Sequence, residues 1–245
     1  MNNIGFGIFC FGEEFYFKGA VHKINEILKE GYHCYILTDE PEYFEEKYSS
    51  EFVHTILYTR EYRSYHDKMI LPKHILKNHN FCILIDADVH IKDFTFLKLL
   101  KDYKFGDGIT YVDTLINHPG KKETAKDIVS DQIEWEQYKS YVEKLYPTYG
   151  ELETIWEYFL VINKVGFNPR FYYYYERLQL TKDFSDLTYN KMVNGAGEGI
   201  SLAIACKLSK TDLQRDIVLF DELKNNFISI SRNFVRREFW PEWMK

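Results

Sequence analysis

The first ninety residues alternate between short apolar runs and segments with helical spacing. Residues 4–11 and 33–38 are apolar and rich in strand-forming side chains, and residues 19–30 between them repeat apolar positions at the helical period before Gly31. A strand, a helix and a strand in this order are typical of a parallel sheet. The pattern therefore predicts an α/β fold.

The same alternation continues to a fourth apolar run. Residues 44–48 predict a short helix, 55–58 a third strand, and 68–78 a helix despite Pro72. Residues 81–85 then form a continuous apolar run with no polar alternation, which is typical of a strand that is buried on both faces. We therefore expect the fourth strand to lie in the middle of the sheet.

The second part of the chain has a looser pattern. It predicts helices at 93–103, 128–145 and around 202–207, strands at 108–112, 156–163 and 171–176, and a polar loop at 117–127. Residues 1–245 contain no internal repeat and no low-complexity linker. We therefore expect one domain.

Composition narrows the class of protein. Hydrophobic residues make up 45% of the 245 residues and charged residues 28%, and no apolar run approaches the ~20 residues of a membrane span. The N-terminus has no basic region before its apolar stretch, so it does not resemble an export signal. We expect a cytoplasmic protein whose four widely spaced cysteines, Cys10, Cys34, Cys82 and Cys206, are reduced and buried.

Charge and aromatic content bear on the ligand. The net charge of −6 disfavours nucleic acid as a partner, because such binding depends on neutralising phosphates. Aromatic residues reach 18%, with 20 Tyr and 19 Phe. Aromatic rings suit bases and sugar faces, but a biased genome composition explains the same excess without any ligand.

Two carboxylates, Asp86 and Asp88, follow the most apolar strand directly. An extended chain would direct both to one side, at the carboxyl end of a central strand, where ligands of α/β sheets bind. At ~4 Å and an effective dielectric of about 20 they would repel by about 4 kcal/mol, and Mg²⁺ or Mn²⁺ would compensate that cost. The alternative is that Asp86 caps a turn and Asp88 is solvated. The metal interpretation requires that both face a cavity and that no internal Lys or Arg neutralises them.

The first part of the chain resembles the nucleotide-sugar-dependent glycosyltransferases of the GT-A fold. The resemblance rests on TDEP at residues 38–41, the basic and aromatic segment 62–76, and FCILIDADV at 81–89. It implies a mixed, mostly parallel sheet flanked by helices in a single domain. Residues 1–91 would bind the nucleotide sugar, and 92–245 would bind the acceptor.

The family resemblance also implies the chemistry. The donor would be a nucleotide-diphosphate sugar, most simply a UDP-sugar, and the Asp-x-Asp pair would hold Mn²⁺ or Mg²⁺ against its diphosphate. The acceptor would be a hydroxyl of a glycan, a protein or a modified base, which leaves a viral DNA-base glycosyltransferase as one option. The enzyme would then be a hexosyltransferase.

The second part of the chain resembles the histo-blood-group-like retaining galactosyl- and N-acetylgalactosaminyltransferases. The matching segments are residues 156–167 and 194–208, in which Glu198 stands where that family has its active-site acid. Ala196 and Gly197 replace the family's preceding His-Asp, and no histidine follows His118 to act as a C-terminal metal ligand. The cation would therefore depend on Asp88, with or without Asp86, together with water and the donor phosphates.

The remaining candidates would lie around Asp86 and Asp88 in the proposed site. Lys68 and Arg63 would attract the donor's negative charge, and the ring of Phe9, Phe11 or Tyr16 would stack on its base. Asp39 and Asp86 would contact the donor's base, ribose or sugar. Glu198 or Glu157 would act as the catalytic carboxylate. Each has a plain structural alternative. The cations would be surface charges, the rings core packing, and Asp39 and Glu198 residues of ordinary turns.

Two other functions share the expected sheet. A nucleotidyltransferase would carry a glycine-rich phosphate loop near its N-terminus, but the GFGIFCFG stretch has no Lys or Arg among its glycines. A non-catalytic protein would bind a nucleotide sugar without turning it over. These are the alternatives to a glycosyltransferase.

Overall fold

A seven-stranded sheet forms the centre of the computed structural model, which describes residues 3–49, 51–59, 61, 64–111, 143, 147, 155, 157, 159–180, 197–216, 218, 219, 223 and 227–229. The strands are β1 Ile4–Cys10, β2 His33–Thr38, β3 Val53–Leu57, β4 Phe81–Ile85, β5 Val89–Ile91, β6 Ile109–Tyr111, β7 Phe159–Asn163, β8 Leu213–Arg215 and β9 Phe227–Ser229. The large sheet has the order β3-β2-β1-β4-β7-β6-β8, and β5 pairs with β9 in a separate ribbon. As expected, β4 is the central strand.

Most strands of the large sheet run in the same direction. The strands β3, β2, β1 and β4 are parallel, β7 runs antiparallel to both β4 and β6, and β8 is parallel to β6. Only β7 is therefore reversed among the described strands of this sheet. The predicted mixed, mostly parallel α/β sheet is confirmed.

Helices cover both faces of this sheet. They are α1 Glu14–Lys29, α2 Pro41–Glu45, the 3₁₀ helix Ser64–Ile70, α3 Leu71–Ile75, α4 Phe96–Leu99, α5 Arg170–Leu180 and α6 Gly197–Ser209. Successive residues of β4 point to opposite faces, so Leu84 belongs to a core cluster that includes residues of α3, α5 and α6, whereas Ile85 belongs to one that includes residues of α1, α2 and α4. Both faces of the central strand are thus covered by core.

One strand prediction is wrong, because residues 171–176 belong to helix α5. The backbone N–H of Arg170 donates to Oδ1 of Asn168 (3.0 Å), which is an N-cap interaction. Phe171, Tyr175 and Leu178 are then buried at helical spacing. The aromatic run favoured a strand on propensity, but the cap and the spacing determine a helix.

Other boundaries differ by part of an element. Helix α1 begins at Glu14, so the segment that follows β1 is mainly helix rather than loop. The predicted helix 68–78 divides into the 3₁₀ helix and α3, which has Pro72 in its first turn, where a missing N–H costs nothing. Within 93–103 only Phe96–Leu99 is α-helical. The predicted loop 117–127 and nearly all of helix 128–145 lie outside the described residues.

Two expectations about the whole chain can be compared with the structure. All four cysteines are free and buried, as predicted, and burial raises the pKa of each thiol. In the part of the chain that the structure describes, no helix combines the length and apolarity of a membrane span.

Candidate functional site

A cavity of about 260 Å³ opens at the carboxyl ends of β1 and β4. Its lining consists of Phe9, Phe11, Gly12, Glu13, Tyr16, Lys68, Asp86, Ala87 and Asp88. Six of the residues proposed from the sequence are among them. Crevices at this edge of a parallel sheet are where ligands of α/β proteins bind.

The two aspartates lie on a turn. Strand β4 ends at Ile85, and the backbone N–H of Val89 donates to the carbonyl oxygen of Asp86 (3.2 Å). The assumption that the segment stays extended is therefore wrong. Asp86 and Asp88 nevertheless line the same cavity, because the turn lies at its wall.

Lys68 neutralises one of these carboxylates. Its ammonium lies 3.0 Å from Oδ1 of Asp86 and also donates to the carbonyl oxygen of Glu157 (3.3 Å). Lys68 is only 4% exposed, whereas the Asp86 side chain is 23% exposed at the cavity, so only the lysine side of this pair is shielded from solvent. The metal interpretation required that no internal cation pair with the aspartates, and Asp86 does not meet that condition. Asp88 is consequently the stronger candidate for a metal ligand.

A second lysine reaches the turn from the other side of the sheet, and the sequence did not predict it. Lys23 of α1 is fully buried and donates to the carbonyl oxygens of Ala87 (2.8 Å) and Gly19 (3.2 Å). Burial lowers the pKa of Lys23 to about 8, against the opposing influence of the Asp88 charge. A signal was present, because position 23 shares the buried face of α1 with Ala20 and Ile27.

The environment of Asp88 favours a positive partner. Burial and the charge of Asp86 raise the pKa of the Asp88 carboxyl to about 6, while Lys23 and Lys68 oppose that rise. Within the described ranges, no group of three or more His, Cys, Asp or Glu side chains is arranged to hold a metal ion. The Asp88 carboxylate, with water and phosphate oxygens completing the coordination, fits a cation such as Mg²⁺ or Mn²⁺.

Aromatic rings form one wall of the cavity. The rings of Phe9 and Phe11 stack at 4.7 Å, and that of Tyr58 lies 5.3 Å from Phe11 and 5.2 Å from Phe9. Phe9 is 8% exposed and belongs to the core, whereas Phe11 is half-buried. Phe11 is therefore better placed than Phe9 to stack on a flat ligand, and Tyr16 lines the cavity from the first turn of α1.

Tyr58, which the sequence did not single out, links this wall to the segment that carries Lys68. Its hydroxyl donates to Oδ2 of the buried Asp67 (2.7 Å), whose Oδ1 accepts the backbone N–H of Glu61 (3.2 Å). Asp67 thus fixes the 3₁₀ helix beside the ends of β1 and β3. Tyr58 follows β3 at the same edge of the sheet as the aspartates, which was the available signal.

Two proposed donor contacts lie elsewhere. Asp39 is exposed just after β2 and does not line the cavity. The turn at that point has a hydrogen bond from the backbone N–H of Glu40 to Oγ1 of Thr38 (3.2 Å). Arg63 lies outside the described residues.

The two candidate catalytic carboxylates come from neighbouring segments. Glu157 is buried shortly before β7, whose Phe159 pairs with Ile85 of β4. Its Oε1 would lie 2.5 Å from a Cβ built on Gly199, next to Glu198 near the start of α6. Glu157 is not among the cavity's lining residues, and the side chain of Glu198 lies outside the described part.

Comparison with known proteins gives structural neighbours only. No protein-family model matches the sequence, and no curated protein matches it significantly. The galactosyltransferase LgtC, solved with donor and acceptor sugar analogues, is 10% identical with a TM-score of 0.46 over 86% of this chain and 72% of its own. The bifunctional glycosyltransferase WbbM is 12% identical with a TM-score of 0.43 over 85% of this chain and 45% of its own.

A third neighbour has another activity. The 4-diphosphocytidyl-2C-methyl-D-erythritol synthase of Anaerococcus prevotii DSM 20548 is 14% identical, with a TM-score of 0.40 over 83% of this chain and 97% of its own. Similarities at this level assign no activity. The cavity itself is therefore the feature from which a function can be inferred.

Proposed function

We propose that the chain is a metal-dependent glycosyltransferase of the GT-A fold that transfers a sugar from a UDP-sugar to a hydroxyl acceptor. The observation that carries this proposal is the convergence of Asp86, Asp88, Lys68 and Phe11 in one cavity at the carboxyl edge of the sheet. Carboxylates, a cation and an aromatic ring are the groups that a metal, a diphosphate and a base require.

In this proposal the donor diphosphate would lie near the turn of Asp86 and Asp88. Helix α1 begins at Glu14 beside this cavity, and its N-terminal dipole favours phosphate. Lys68, which also lines the cavity, supplies a positive charge. A divalent cation held by Asp88, with or without Asp86, would stabilise the negative charge that develops on the leaving diphosphate.

The acceptor would lie on the side of the turn where β7 begins. Glu157 is linked to the turn through Lys68, which donates to its backbone carbonyl and pairs with Asp86. Its carboxylate, or that of Glu198, would deprotonate the acceptor hydroxyl or stabilise an oxocarbenium-like centre. The acceptor class is a hydroxyl of a glycan, a protein or a modified base.

The test is hydrolysis of a panel of UDP-hexoses and UDP-N-acetylhexosamines in the presence of Mn²⁺. We expect the wild type to release UDP and Asp88→Ala to release it about a hundredfold more slowly, because charge on the leaving group loses its stabilisation. Asp102→Ala, which removes an exposed carboxylate outside the cavity, is the matched control and should match the wild type. Equal rates for Asp88→Ala and the wild type would contradict the proposal.

Product analysis separates the two alternative functions. A non-catalytic binding protein would show UDP-sugar affinity by calorimetry without UDP release. A nucleotidyltransferase would release pyrophosphate from a nucleoside triphosphate and a sugar phosphate. UDP release that depends on Asp88 is expected only of a glycosyltransferase.

A further inference from the structure

The turn that carries Asp86 and Asp88 is held by two buried ammonium groups from opposite helical layers. Lys68 approaches from the 3₁₀ helix and pairs with Asp86 at 3.0 Å. Lys23 approaches from α1 and donates to the carbonyl oxygen of Ala87 at 2.8 Å. The two aspartates of the turn are therefore offset by two buried lysines in one site, which Glu13 also lines.

We propose that Lys23 and Lys68 balance the aspartates in the unliganded protein, so that a divalent cation binds weakly alone and strongly only together with an anionic diphosphate. Lys23 would thereby make cation binding depend on the donor. The inference rests on the proposed function for the identity of the anion, but the charge balance is a property of this chain.

Charge counting gives the reason. A divalent cation that binds beside two buried ammonium groups adds positive charge that the aspartates only partly compensate, and such charge is costly where the effective dielectric is low. A nucleotide-sugar diphosphate carries about two negative charges and compensates this positive charge when it arrives with the cation. The cation and the diphosphate would therefore bind cooperatively, and each would raise the affinity for the other by the same factor.

Lys23 is the informative member of the pair. Lys68 lines the cavity, so its replacement would also remove a contact with the ligand, whereas Lys23 does not line it. Burying an ammonium inside a helix layer costs free energy that an apolar side chain of similar shape avoids. Its presence on the core face of α1, between Ala20 and Ile27, is explained if its charge and hydrogen bond serve the turn.

The experiment measures Mn²⁺ binding, by electron paramagnetic resonance of the free ion, in the absence and presence of UDP. The variants are Lys23→Met, which nearly keeps the shape, and Lys23→Gln, which is one atom shorter, keeps an N–H donor and removes the charge. Lys18→Met removes an exposed lysine of the same helix that pairs with Glu14 (3.2 Å), and it serves as the matched control.

In the wild type we expect weak Mn²⁺ binding alone and an enhancement by UDP of about a hundredfold. Either Lys23 variant should bind Mn²⁺ alone about tenfold more tightly, because one positive charge near the site is gone. Lys18→Met should behave as the wild type. Lys23→Gln decides the question if Lys23→Met does not fold.

Three results would overturn the inference. The first is tight Mn²⁺ binding by the wild type without UDP, and the second is an unchanged Mn²⁺ affinity in the folded Lys23 variants. The third is a weaker Mn²⁺ affinity in these variants, which would mean that Lys23 only maintains the turn. A wild type that binds neither Mn²⁺ nor UDP would refute the proposed function instead. In that case, Mn²⁺ binding gained by the Lys23 variants would still support the charge balance, and no gain would reject both.

Discussion

Phe11 and Phe9 are neighbours in sequence and in space, but they differ in what they offer a ligand. Phe9 lies in the core at 8% exposure, and Phe11 is half-buried at the cavity. The ring of Phe11 stacks on those of both Phe9 and Tyr58, which hold it in place. A ring held in advance loses little freedom when a base stacks on it.

Replacing Phe11 with Leu is expected to weaken donor binding selectively. Stacking of a base on an aromatic ring is worth roughly 1–3 kcal/mol, so KM for the UDP-sugar should rise about tenfold while kcat changes little. Steady-state kinetics of UDP release measure both constants. Tyr173→Leu, which removes an exposed ring of α5 outside the cavity, is the control. A loss of kcat without a change in KM would reject the stacking role.

The individual site residues were predictable from sequence to different degrees. Asp86 and Asp88 were found because two carboxylates directly follow a buried strand, and Lys68 because a cation precedes that strand by one helix. The sequence does not single out Lys23, because the helical pattern of α1 indicates buried positions by their apolar side chains. Tyr58 was missed because its relation to Phe11 depends on the order of the strands, which no local pattern contains.

Helix α5 is the element whose structure differs most clearly from what local propensity predicts. Four consecutive tyrosines favour a strand, but Asn168 and Pro169 before them form a helix start. Asn168 also joins two helices, because its Nδ2 donates to the carbonyl oxygen of Ser209 (2.6 Å) at the end of α6. The strands β1, β2 and β4 were predicted within one residue, because continuous apolar runs leave little alternative.

Variants at Asn168 should separate its two hydrogen bonds. Asn168→Ala loses both the cap of α5 and the bond to Ser209, and we expect the free energy of unfolding to fall by about 2 kcal/mol. Asn168→Ser keeps a capping oxygen and should lose only about 1 kcal/mol. Urea denaturation measures both values. Equal stability of the two variants would argue against separate contributions.

The edge of the sheet opposite the cavity carries a cluster of histidines. His79 has its Nδ1 2.7 Å from Oδ1 of Asn3 and its Nε2 3.2 Å from the hydroxyl of Tyr35. Its ring lies 5.0 Å from that of His33, which also contacts His54. Burial and the neighbouring histidines lower the pKa of His79 to about 4.

This lowered pKa predicts how stability depends on pH. Above about pH 6.5, His79 is neutral in both the folded and unfolded chains, and between about 6.5 and 4 the unfolded chain binds the proton more readily. The contribution of His79 to stability is therefore present above about pH 6.5 and is lost as the pH falls towards 4. The loss is on the order of 2 kcal/mol.

His79→Gln keeps polar partners for Asn3 and Tyr35 but cannot titrate. Its free energy of unfolding, measured with urea at several pH values, should decline less than that of the wild type between about pH 6.5 and 4.5. The raised pKa of Asp88 acts in the opposite direction in both proteins and so cancels in the difference. Parallel pH profiles would exclude His79 as the source.

Strand β7, the one reversed strand among those described in the large sheet, determines which parts of the chain can meet at the cavity. In a wholly parallel sheet, the ligand-binding edge receives only the segments that come after strands. Because β7 runs backwards beside β4, the segment that comes before it, with Glu157, reaches the same edge as Asp86. Because of the inverted strand β7, one edge of the sheet receives both a segment that follows a strand and a segment that precedes one. Positions about seventy residues apart are thereby brought together without a crossover connection.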